Sequence, residues 1–155
     1  MIEDKTHRYE FRVSVGLTDM SGVMYHARYL ERADEARQAF LYELDSEYAE
    51  QLAQDGVGFS IPELNAKFET PAGYGSPIKV NTMIVDVGEK SLQVAQWFTS
   101  KDEVLAHLDI TLVTVQNGKS IGIPQRLKEL LLSVCDPKAS GRPQPRIRQA
   151  KQQPT

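Results

Sequence analysis

Leu17–Leu44, LTDMSGVMYHARYLERADEARQAFLYEL, sets an acid, a tight turn and a long helix in immediate succession, and the layout of the chain is built around it. Asp19 opens a turn-forming run, Thr18-Asp19-Met20-Ser21-Gly22, and Gly22 can take a positive φ at little steric cost. A periodic helix follows. Tyr29, Leu30, Ala33, Ala36, Arg37, Phe40, Leu41 and Leu44 recur at the three-and-four spacing of one buried face. The helix therefore starts within a few residues of an acid. Its first N–H groups have no partner inside the helix and carry the positive end of its dipole, about half a charge. A carboxylate beside such a bank of amides can act on a carbonyl whose oxygen turns negative. Asp19 reads equally as a turn or helix cap, with Ser21 as the competing cap that would leave Asp19 spare.

Outward from this stretch, residues 8–15 alternate, with Tyr9, Phe11, Val13 and Val15 on one side, as in a half-buried strand. Asp45-Ser46 caps a short second helix carrying Tyr48 and Leu52, which ends near Asp55-Gly56. From Gly58 the period becomes two. Strands are expected at 59–70, from Ile78 to near Gly88, at 91–100 and from Val104 to Val115, with a bulge or edge near Pro62. In the third of these, Leu92, Val94, Gln96 and Phe98 share a face. Asn117-Gly118 is a tight-turn pair. Pro124 fits the first turn of a last helix with Leu127, Leu130, Leu131 and Val134 as its stripe. The order strand, long helix, four strands, short helix favours an α+β fold with an antiparallel sheet. That sheet is the only large apolar surface against which the long helix can bury its stripe.

One domain over 1–135 accounts for the apolar pattern, and 136–155 reads as a basic, Pro- and Gln-rich disordered tail. A net charge of −3 gives no sign of nucleic acid. No stretch approaches the ~18 apolar residues of a membrane span, and MIEDKTHRYEF has no signal-peptide core. Cys135 is the only cysteine, so no internal disulfide forms and a cytoplasmic location fits. His7, His26 and His107 lack ligand spacing, so no metal is expected.

Asp19, Gly22-Val23, Tyr25-His26, Tyr29-Leu30 and the Asp34–Arg37 pair resemble the opening signature of the 4-hydroxybenzoyl-CoA thioesterase family. The resemblance implies the hotdog fold, an antiparallel sheet wrapped around one long central helix. It implies a homodimer or homotetramer with the active site between subunits. It also implies hydrolysis of an acyl-CoA thioester, with coenzyme A as part of the substrate and no cofactor. Asp19 would be nucleophile or general base, with His26 as a second, substrate-facing residue. An N–H within Gly22–His26 would hold the oxyanion. Val23, Tyr25 and Tyr29 would border the acyl group, and Ser91 would lie near the thioester or the pantetheine arm. Lys90, Lys101 and Arg126 are candidates for the phosphates of coenzyme A. By residue type alone, Tyr29 also reads as core, Ser91 as an ordinary strand serine, the Asp34–Arg37 pair as a helix salt bridge and the basic residues as surface charge. Leu17 and Ser76 depart from acids common in the family.

The implied reaction is hydrolysis of an aromatic or short-chain acyl-CoA. The runs Phe59-Ser60-Ile61-Pro62 and Ile121-Gly122-Ile123-Pro124-Gln125 resemble hydrolases of 1,4-dihydroxy-2-naphthoyl-CoA. An acyl-carrier-protein thioesterase and a non-catalytic acyl-CoA-binding hotdog protein are the other readings.

Overall fold

The computed structural model describes residues 1–137. The strands are β1 (Ile2–Glu3), β2 (Thr6–Arg12), β3 (Val57–Phe68), β4 (Pro77–Val87), β5 (Ser91–Ser100), β6 (Glu103–Gln116) and β7 (Lys119–Ser120). The helices are α1 (His26–Leu44), α2 (Ser46–Gln54) and α3 (Gln125–Leu132). The strands form one antiparallel sheet in the order β1-β2-β4-β5-β6-β3, with β7 on β6. β3 and β4 are consecutive in the chain yet lie apart, so β3 becomes an edge strand.

The inner face comes from alternation. Val80, Val94, Phe98, Ala106, Leu108 and Ile110 are buried on one side of the pleat. Against them lies α1, through Tyr29, Ala33, Ala36 and Phe40. The two alanines leave little between helix and sheet. That closeness lets the buried Gln96 Nε2 donate to the Ala33 carbonyl at 3.0 Å and to Thr82 Oγ1 at 2.9 Å. Gln96 Oε1 accepts from Arg37 at 2.8 Å, so a polar residue on the apolar face has its bonding filled from both sides. This is the hotdog arrangement expected from the sequence.

Several expectations change in detail. β2 ends at Arg12, and Val15 sits in a 3-10 turn (Val15–Leu17) with its side chain largely in water. Leu30 is 41% exposed, because one sheet covers only part of the helix circumference. Arg37 keeps the expected pair with Asp34 (3.2 Å) but turns inward to Gln96. The bulge appears where Pro62 foretold it, as a register shift between Ser60 and Glu63. Pro124 caps α3 from the position before its first residue. The Lys101-Asp102 and Asn117-Gly118 turns both use positive φ, matching the twist of the strands they join. The tail beyond residue 137 lies outside the described residues.

Candidate active site at the start of the central helix

The turn before α1 is a hairpin in miniature. Asp19 N–H donates to the Val23 carbonyl (2.9 Å), and Gly22 N–H donates back to the Asp19 carbonyl (3.0 Å). Gly22 takes φ +81°. That combination is a three-residue loop closed by a left-handed glycine. Met24 N–H donates to Ala72 and Tyr25 N–H to Leu17, which pins both ends to the protein. The Asp19 carboxylate is exposed. Its Oδ1 accepts from Ser21 N–H at 2.8 Å; its second oxygen has no partner among the described residues. Asp19 therefore caps its own turn. Ser21 does not cap the helix, because the cap residue is Tyr25, which supplies no side-chain bond.

The hydrogen bonds narrow the oxyanion candidates. In the window Gly22–His26, the amides of Gly22, Met24 and Tyr25 are committed to carbonyls. Gly22 thus shapes the loop and is not a free donor. The amides of His26 and Ala27 open α1 and, among the described residues, have no acceptor.

Asp19, Val23, Met24, His26 and Tyr29 border one cavity of about 180 Å³, closed on the far side by Phe68, Glu69, Thr70 and Pro71. The His26 ring lies 4.5 Å from that of Phe68, and Tyr29 meets Phe68 edge-on at 5.2 Å. Tyr29 is 2% exposed, and burial raises its hydroxyl pKa above the usual tyrosine value, so it stays a neutral wall residue. The segment from Phe68 to Pro71 was not foreseen. It arrives from the end of β3, over forty residues away in sequence, and no local pattern marks it. Glu69 brings a second carboxylate to this cavity and pairs with His107 Nε2 at 3.4 Å.

The other candidates lie elsewhere in the protomer. Tyr25 is 51% exposed and outside the cavity lining. Ser91 opens β5, seven residues from the Phe98 that packs on Tyr29, or about 23 Å along the strand. Lys90 precedes Ser91 at the same end. Arg126 is engaged with Asp45 at 2.7 Å and lies over the Tyr48 ring at 4.4 Å, beyond the C-terminal end of α1. Lys101, in the β5–β6 turn, borders a separate groove with Arg12 and Lys79. Among the described residues no cluster of three His, Cys, Asp or Glu side chains is placed to hold a metal ion.

Comparison with known proteins fits this geometry. Residues 13–131 match the model of the Thioesterase-like superfamily. The acyl-CoA thioesterase YbgC of Helicobacter pylori is 36% identical over 70 residues, 45% of this chain and 50% of that protein. A gentisyl-coenzyme A thioesterase structure superposes with TM-score 0.74 at 27% identity, covering 80% of this chain and 98% of the other. A 4-hydroxybenzoyl-CoA thioesterase in complex with its substrate shares the fold, with TM-score 0.75 at 18% identity over 82% of this chain and 99% of that one. With a match that takes in the Asp19 turn, all of α1 and strands β3 to β7, the chain belongs to the Thioesterase-like superfamily.

Proposed function

We propose that this protein is an acyl-CoA thioesterase whose reaction is driven by Asp19. The observation that carries the reading is the shared hollow: an exposed carboxylate with one free oxygen and His26, whose backbone amide has no acceptor among the described residues, at its rim. A thioester carbonyl placed there directs its carbon to Asp19 and its oxygen to the amides. Asp19 then acts in one of two ways. As a nucleophile it forms an acyl-aspartyl anhydride and expels the thiolate, and water later cleaves the anhydride. As a general base it takes a proton from water as that water attacks, and the proton passes to the departing sulfur. Both routes build negative charge on the carbonyl oxygen, where the amides and the helix dipole stabilise it. His26, stacked on Phe68, shapes the wall beside the carbonyl.

A binding-only role would favour Asp19 tied into an ion pair away from any cavity. Asp19 has no such pair and borders the hollow. No resident cofactor or metal is needed for this reaction. The absence, among the described residues, of any helix long and apolar enough to cross a membrane is compatible with a cytoplasmic location.

The site also calls for a second copy of the chain. β3 is an edge strand, and Phe59, Ile61 and Phe68 along it are 39–42% exposed. Pairing two copies across that edge would cover these side chains and close the hollow at Phe68.

The test is thiol release from a panel of acyl-CoAs. Asp19→Asn keeps the bond from Ser21 N–H but removes the charge. Turnover should fall by roughly 10²–10⁴, the span of a lost general base, with the melting temperature unchanged. Equal turnover by wild type and variant would sink the assignment.

A further inference from the structure

Gln96 is an amide side chain sealed inside an apolar face. It stands on β5, between β4 and β6, and is 1% exposed. Taking such a group out of water is costly, and apolar residues of similar volume often hold a core together at least as firmly as a buried polar cluster. Its bonds cross from sheet to helix. Nε2 donates to the Ala33 carbonyl of α1 at 3.0 Å and to Thr82 Oγ1 of β4 at 2.9 Å. Oε1 accepts from Arg37 of α1 at 2.8 Å, a bond strengthened by the charge of its donor.

The packing on either side of these bonds is incomplete. Toward the start of α1, His26 and Tyr29 border the Asp19 hollow. Toward its end, side chains between Asp34 and Leu44 border a second cavity of about 120 Å³, walled by Leu92, Leu112, Leu127 and Leu131. Ala33 borders neither of these cavities and is fully buried where the helix meets the sheet between them. A methyl group makes a smooth, non-directional contact, so it sets how close the helix lies but not how it tilts or rolls. At the helix start, Tyr25 N–H donates to the Leu17 carbonyl. One such tie is a hinge: it locates the first turn and leaves the axis free to swing. The tie at Ala33 comes eight residues later, about 12 Å along the helix. Two ties fix a line. A slide of roughly 2–4 Å at Ala33 would swing the axis by roughly 10–20°, the margin within which catalytic groups have to be held.

We infer that Gln96 is a positioning residue for the thioester reaction: through Ala33 and Arg37 it fixes the direction in which the first amides of α1 point at the Asp19 hollow. The role rests on the thioesterase reading above. Gln96 touches no part of the substrate. Its effect falls on the oxyanion, whose charge develops only in the transition state and demands well-aimed donors. Losing the clamp therefore lowers kcat and spares KM.

The test replaces the polar cluster as a unit. Gln96→Met alone strips partners from the buried Arg37 and Thr82 groups and should lower the melting temperature. Adding Arg37→Met and Thr82→Val removes the stranded groups, and the triple variant should melt at or above wild type. On the acyl-CoA that wild type cleaves fastest, the triple variant should nonetheless lose about tenfold in kcat, with KM within about a factor of two, because its donors are misaimed. Crystals of the triple variant should show α1 at an altered angle to β5, a readout that needs no turnover. Tyr9→Phe removes a strand-to-helix bond on the exposed side, from Tyr9 Oη to Glu35 at 2.9 Å, and should leave kcat unchanged. Wild-type kcat in the triple variant, a loss confined to KM, an unmoved helix, or an equal loss in Tyr9→Phe overturns the positioning role while the hydrolase reading stands. A triple variant that melts below wild type assigns the cluster to stability and overturns it likewise. Failure of wild type to cleave any acyl-CoA removes both.

Discussion

Two helices of this protein begin only twenty residues apart, and they begin differently. α2 starts under Asp45, whose Oδ1 accepts from Tyr48 N–H at 3.0 Å and whose Oδ2 is held by Arg126 at 2.7 Å. Those contacts pull the Asp45 carboxyl below the usual aspartate pKa, first through the Tyr48 amide and then through Arg126. α1 starts under Tyr25, which offers no side-chain bond, and its first amides are left open beside the Asp19 hollow. One helix start is closed by the protein. The other is left for something else to close. Helices lose roughly 1 kcal/mol without a cap, so on the proposed reading the uncapped start beside a carboxylate exchanges stability for a binding position.

The comparison can be broken by reversing it. Tyr25→Asp installs a cap at α1. The new carboxylate should satisfy the opening amides and repel an oxyanion, cutting acyl-CoA turnover by on the order of 10²-fold. The same change should raise unfolding stability by about 0.5–1 kcal/mol, read from urea midpoints. A gain in stability with full activity would show that the α1 amides take no part. The converse change, Asp45→Ala, should cost about 1 kcal/mol and leave kcat/KM within a factor of two, because Asp45 lies at the far end of α1.

The smallest expected effect separates open unpaired groups from sealed ones. His7 Nδ1 also lacks a partner among the described residues, but it is buried under Phe40, with the two rings stacked at 5.1 Å. Burial lowers its pKa, the nearby Met1 ammonium adds to that, and Glu43 opposes it. A histidine held neutral by folding contributes fully above its ordinary value, about 6.5. As the pH falls below that value the unfolded chain binds the proton first, and stability declines. His7→Phe should flatten the fall in melting temperature between pH 7 and pH 5 and leave turnover unchanged at pH 7. An identical slope in the variant would remove His7 as the cause.

Much of this was legible in the chain. The three-and-four spacing from Tyr29 to Leu44 requires a one-sided helix, and the period-two runs from Gly58 to Val115 require a sheet to receive it. Gly22 and the acid before it required a tight turn, and the positive φ is there. Local sequence governs such features because turn geometry and face periodicity depend on neighbours within a few residues.

What the sequence left open was long-range. Nothing local shows that β3 passes beyond β6 to become an edge, or that its last residue, Phe68, meets His26 and Tyr29. Three of the five amides in the oxyanion window were ruled out only by hydrogen bonds to Leu17, Asp19 and Ala72. Two of those partners belong to the same hairpin, but the third comes from a loop some fifty residues on. Ser91 came from the family resemblance and Lys90 and Arg126 from their charge alone; within one copy all three lie at the other end of the sheet or helix from the Asp19 hollow. Local residue order was enough for the elements and for the chemical types at the site. Which backbone donors remain free, and which cavity each helix end opens onto, came from the folded chain, because those depend on where distant segments run out of their own partners.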